Sequence, residues 1–140
     1  MAAPSANNER PWRFVIVRDK ETLTQLAHAT KWAAPLDRAP VGIVLFADTS
    51  ALKMNADLWM LDCALAAQNL MLAAQSQGLG TVWLAAWPYD EYVRAIKTVL
   101  GAPDHAVPVA MLAVGVPSKT ATEIDRFEPE WVYKERYGLQ

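Results

Sequence analysis

A chain of 140 residues with 53% hydrophobic residues has enough apolar material for one domain with a sizeable core. Its formal net charge of -2, with 13 Lys and Arg scattered along the chain, supplies no basic field for nucleic acid. The single cysteine, Cys63, excludes an internal disulfide and a cysteine-built metal site, and it fits a reducing, cytoplasmic setting.

The opening, Met1 to Ala3, reads as the last turn of an apolar helix, and Pro4-Ser5-Ala6-Asn7-Asn8 reads as the loop that ends it. A secretory leader is not expected, since the first fourteen residues offer neither a basic start nor the apolar core that would follow it. "WRFVIVRD" (Trp12 to Asp19) is rich in β-branched and aromatic residues and predicts a strand. Asp19 then stands where it can cap a helix over "KETLTQLAHATK", with Glu21 in the first turn. "APVGIVLFAD" (Ala39 to Asp48) is a continuous apolar run introduced by proline, which predicts a strand covered on both faces.

From Ala56 to Gln77 the pattern predicts a helix with two apolar stripes. Leu58, Leu61, Leu65 and Leu72 form one, and Met60, Ala64, Ala67, Met71 and Ala74 the other. Such a helix needs cover on two sides, most economically its own sheet and a second subunit. Its longest apolar region, Leu58 to Ala74, is interrupted by Asp62, Gln68 and Asn69 and falls short of a membrane span, so a soluble protein is expected.

Gly78 and Gly80 read as the helix stop, and "TVWLAAW" (Thr81 to Trp87) as a third buried strand. Pro88 opens a further helix with Asp90 and Glu91 at its start and Gly101 past its end. "AVPVAMLAVGVP" (Ala106 to Pro117) predicts a fourth strand. The remainder is polar with spaced aromatics and no clear period, like an arm lying on another surface.

His28 and His105 lie in different elements without metal-ligand spacing to a partner, so each is expected to be solvated or packed. "GLGT" (Gly78 to Thr81) lacks the third glycine of a dinucleotide fingerprint and precedes a strand instead of following one. No nucleophile elbow or Walker loop is present.

Three stretches stand together: "PSANNERPW" (Pro4 to Trp12), "NLMLAAQSQGLGTVW" (Asn69 to Trp83) and "VGVPSKTATEIDRFEPEWVYKERYG" (Val114 to Gly138). In that order and at those intervals they resemble the FMN-dependent nitroreductase family, specifically its small members, over essentially the whole chain. Members usually begin earlier, with an Arg-x-Ser-x-Arg segment that grips the FMN phosphate; by this resemblance the chain reads as one lacking that first helix and clamp.

The resemblance implies an α/β (α+β) domain with a central mixed sheet flanked by helices, homodimeric about the Asp57 to Gln77 helix, with the C-terminal arm reaching across. It implies that Pro4, Ser5 and Ala6 lie against the isoalloxazine edge from the partner subunit, and that Asn8 hydrogen-bonds the ring or its ribityl chain. It implies that Leu84 and Ala85 bring backbone toward the flavin, Ala85 standing where the family often has glycine, and that Trp83 and Trp87 could flank the ring. Lys119 and Arg126 match basic residues at the FMN phosphate, and Arg10 departs from the family's usual glutamine.

The activity so implied is two-electron transfer from NAD(P)H through FMN to a nitroaromatic, quinone or other electron-poor acceptor. The flavin carries the chemistry, and no side chain is required as acid or base. The rival reading keeps the fold and the dimer but gives them weak or no FMN binding and a structural or flavin-sequestering role.

Overall fold

A computed structural model of the chain describes residues 1–53, 57–119 and 124–138. In chain order the elements are β1 (Trp12–Val17), α1 (Lys20–Ala29), the short α2 (Pro35–Arg38), β2 (Val41–Asp48), α3 (Trp59–Ser76), β3 (Gly80–Ala85), α4 (Asp90–Leu100) and β4 (Ala106–Gly115). Ala56 at the head of the expected long helix, and positions 120–123 and 139–140 of the expected arm, lie outside the described residues.

Local chemistry accounts for most boundaries. The Asp19 carboxylate accepts the Thr22 amide at 2.8 Å and the Thr22 hydroxyl at 2.7 Å, so α1 starts on a side-chain cap. Those bonds hold the Asp19 carboxyl below the usual carboxylate range. At the end of α3, Gly78 takes the left-handed conformation at φ 75°. Its amide donates to the Gln75 carbonyl at 2.9 Å and the Leu79 amide to the Ala74 carbonyl at 3.0 Å, the paired bonds that close a helix on glycine. Gly101 ends α4 in the same region, at φ 61°.

The strands form one sheet in the order β1-β2-β4-β3, antiparallel at every described pairing. This corrects the expectation of a mixed sheet. β2 and β3 run in the same direction, but β4 lies between them and pairs with both, so the crossover through α3 produces no parallel pair. The sheet divides two cores. On one face Leu23 and Leu26 of α1, Leu36 of α2 and Ile96 of α4 pack on Val44, Phe46, Leu84 and Met111. On the other, Trp59, Cys63, Ala66 and Ala67 of α3 pack on Trp12, Leu45, Ala47 and Val109. The unbroken apolar run of β2 follows from feeding both.

Two expectations about burial are corrected. β3 is an edge strand, with Val82 and Trp83 exposed, and Gly80 begins it instead of ending the helix. A β-carbon at Gly80 would lie 3.3 Å from Pro117, so the glycine allows close approach of the chain after β4. The buried stripe of α3 is also neither of the two expected. It combines Trp59, Cys63, Ala66, Ala67 and Ala74 with one acid, Asp62. Leu58, Met60, Leu61, Leu65 and Leu72 all face outward, and Ala64 with them. Small residues let the helix approach the sheet closely, and the bulkier leucines are left on the far side.

Candidate functional site

The opening loop is rigidly built. Ser5 leads in extended conformation into a single helical turn, Ala6–Asn8. Asn7, Asn8 and Arg10 all take positive φ, at 47°, 55° and 50°. Asparagine tolerates that region, arginine less readily, and such residues persist only where the surroundings hold them. Here the Asn8 amide donates to the Ser5 carbonyl and the Glu9 amide to the Ala6 carbonyl, each at 3.0 Å. The Arg10 amide donates to the Ser5 hydroxyl oxygen at 3.0 Å, and the Ala6 amide donates to the Asp62 carboxylate, also at 3.0 Å. The Glu9 carboxylate accepts the Lys53 amide at 3.2 Å. Pro11 and Trp12 then run into the core, where the Pro11 carbonyl accepts the Asp48 amide at 2.8 Å.

Among the expected flavin contacts in this loop, Pro4 and Asn8 are exposed and Ser5 and Ala6 half-buried. The Ser5 oxygen already serves inside the loop as an acceptor. At the end of β3, Ala85 is exposed, while Leu84 is sealed among the residues packed by α1 and α4. Alternation along the strand puts Ala85 on the opposite face, the face of α3. Trp87 follows, half-buried, and meets Trp59 of α3 edge to face. The opening loop and the end of β3 thus share one face and one end of the sheet, joined through α3.

The basic residues do not join them. Lys119 lines an open groove of about 550 Å³ with Arg38, Pro40, Thr81 and Pro117, beside the Gly80–Gly115 pairing. That is the other end of β3 from Ala85, about 17 Å along an extended strand. Arg126 lies exposed in the C-terminal arm, whose described residues are solvent-facing throughout.

One residue escaped the motif reading. Asp62 stands out in sequence only as an acid in an apolar helix, yet it is buried and holds Ala6 across 56 positions of chain. Its neighbour Cys63 is fully buried, and burial together with the Asp62 charge pushes its thiol up to about 12. His28 is exposed with its ring nitrogen on the Thr24 carbonyl at 2.8 Å, and His105 is exposed as well. Among the described residues, no group of three His, Cys, Asp or Glu gathers to hold a metal ion, and no helix is long and apolar enough to cross a membrane.

Comparison with known proteins gives this architecture a family. Residues 24–116 match the model of the Nitroreductase family. A relative from Archaeoglobus fulgidus, provisionally named an NADH dehydrogenase/NAD(P)H nitroreductase, is 38% identical over 98% of this chain and 80% of its own. The solved structure of a Clostridium acetobutylicum protein, provisionally named an NADH oxidase, superposes with a TM-score of 0.93 at 37% identity, covering 98% of this chain and 82% of that one. The FMN reductase (NADPH) of Bacillus subtilis is 36% identical over a shorter stretch, 61% of this chain and 35% of that protein. The chain belongs to the nitroreductase family. It is an oxidoreductase of the nitroreductase type.

Proposed function

We propose that this oxidoreductase works as an FMN-dependent homodimer that takes two electrons from NAD(P)H and delivers them to a nitroaromatic, quinone or similar electron-poor acceptor. The observation that carries this reading is that one helix serves two faces. α3 holds the opening loop through Asp62 on its inner side and leaves Leu61, Leu65 and Leu72 exposed on its outer side. An apolar stripe of that kind on a helix already packed against its own sheet suits a second copy of the chain.

The residues present fit the cofactor chemically. Exposed Asn8 offers a side-chain amide, donor and acceptor together, suited to the pyrimidine edge of a flavin, and Pro4, Ser5 and Ala6 offer a shaped loop beside it. Ala85 offers backbone at an exposed strand end, and Lys119 and Arg126 offer charge suited to a phosphate. These groups lie apart within one chain, which favours a site completed between two copies. FMN, when bound, supplies the hydride and electron transfer; the protein orients the ring and admits donor and acceptor in turn. A cytoplasmic location, where NAD(P)H is available, accords with the lone, buried Cys63.

The test is a visible spectrum of the purified chain with and without FMN, followed by NAD(P)H oxidation with a quinone and a nitroaromatic. Flavin absorbance that stays with the protein, and turnover that depends on it, is the expected result. Turnover without flavin, or no uptake at millimolar FMN, would overturn the reading.

A further inference from the structure

We infer that Asp62 is a positioning residue of the cofactor site: its buried carboxylate fixes the Ser5–Asn8 turn in the shape that meets the flavin. This rests on the flavin reading above and assigns the Asp62 bond a role in binding that the reading leaves open.

A short helical turn leaves its first amides without internal partners, and the residue before it normally supplies a side-chain acceptor. Ser5 occupies that position, but its hydroxyl does not cap the turn and accepts the Arg10 amide instead. The Ala6 amide, first in the turn, has no partner within it, and Asp62 accepts it from another element. A carboxylate is expensive to bury, and its presence in an otherwise apolar stripe calls for a compensating role. Its position in the first turn of α3, where the helix dipole favours an acid, offsets part of that cost.

Three consequences meet at this bond. It anchors the turn at its first residue, so that the left-handed Asn7 and Asn8 follow from a fixed point. It is made by the helix that carries the exposed leucines, so the turn moves with the proposed subunit contact. Finally, a charge-assisted bond between elements remote in sequence preorganises the loop before any ligand arrives, which reduces the ordering cost of binding.

The experiment compares the wild-type chain with Asp62→Asn, Asp62→Ala and Ala74→Gly. Ala74→Gly serves as a control because it weakens the far end of the same helix without touching the loop. Exchange of the Ala6 amide and the melting temperature are measured without flavin, and FMN affinity by quenching of flavin fluorescence. Asp62→Asn keeps an acceptor but loses the charge, so Ala6 exchange should quicken and FMN affinity fall about threefold to tenfold. Asp62→Ala should move both quantities further in the same order, by tenfold or more in affinity. Ala74→Gly should lower the melting temperature and leave FMN affinity within about twofold of wild type.

If Asp62→Ala fails to fold, Asp62→Asn against Ala74→Gly decides alone. Wild-type FMN affinity in both Asp62 variants, or an affinity loss in Ala74→Gly matching theirs, overturns the role of Asp62 while the flavin reading stands. A wild-type chain that takes up no FMN overturns both.

Discussion

Trp59 and Trp87 meet edge to face, their ring centroids 5.1 Å apart and their planes at 67°. This pair ties the segment after β3 to α3, and so holds the exposed Ala85 in a fixed relation to the helix that carries the opening loop. Pairs of this geometry contribute about 0.5–1.5 kcal/mol beyond the area they bury. Trp87→Leu retains an apolar side chain but loses the ring contact and part of the buried area, and should lose at least the lower figure, about 0.5 kcal/mol, in urea unfolding. A change below 0.3 kcal/mol, about a fifth of the upper figure, would show the contact to be incidental.

The outward leucines of α3 give a separable prediction about assembly. Leu65 is 45% exposed in the single chain, so an arginine there can reach water without disturbing either core. Leu65→Arg should convert a dimer to a folded monomer, with wild-type far-ultraviolet circular dichroism and half the mass by light scattering. A wild-type chain that is monomeric at micromolar concentration would refute the subunit contact.

Asn8 sits at φ 55°, which decides how its side chain should be tested. Asn8→Ala would add backbone strain of about 1–2 kcal/mol and confuse stability with binding. Asn8→Gly keeps the left-handed backbone and removes only the amide group. It should weaken flavin binding by about 0.5–1.5 kcal/mol at nearly constant melting temperature. Unchanged flavin affinity would take Asn8 out of the site.

Lys119 and Arg126 should act on the phosphate alone. Alanine at either position should reduce FMN affinity by about 1.5–3 kcal/mol, the usual contribution of a hydrogen bond to a charged group, and leave riboflavin affinity unchanged. Equal losses for both ligands in a paired titration would assign these residues to loop structure instead.

The Cys63 thiol, raised from 9.0 to about 12, links stability to alkaline pH. Because the folded protein holds this proton more tightly than the unfolded chain, the stabilisation is complete below pH 9.0, the unfolded value, and is lost as pH rises toward 12. Urea unfolding from pH 7 to 10.5 should therefore fall more steeply for wild type than for Cys63→Ala. Parallel curves would contradict the assignment. The same burial should leave the folded thiol unreactive toward a disulfide reagent at pH 8.

The caps and the buried central strand were legible in the sequence because each depends on a few adjacent residues. Asp19 and Thr22, or Gly78 and Leu79, carry their own geometry wherever the rest of the chain goes. β3 was not legible as an edge, because an apolar run reports that its residues seek cover, not which element or chain provides it. For α3 the leucines outrank the alanines in hydrophobicity, yet shape decided which stripe met the sheet. Of the candidate site, the Pro4–Asn8 stretch stood out in the chain. Asp62 did not, because a cap drawn from 56 positions away has no local signature. Lys119 and Arg126 became visible only through likeness to a family, since an exposed cation looks the same whether or not it meets a phosphate.

The division of the interior by the sheet bears on how the protein can change. Leu26 and Ile96 belong to one core, Trp59 and Cys63 to the other, and layers that each stand about 10 Å from the sheet keep the two sets well beyond contact. Pairs of substitutions drawn from α1 or α4 on one side and α3 on the other should therefore combine additively, within about 0.5 kcal/mol. Stabilising mutations can accordingly be accumulated under α1 and α4 as a reserve, leaving the α3 side free to vary.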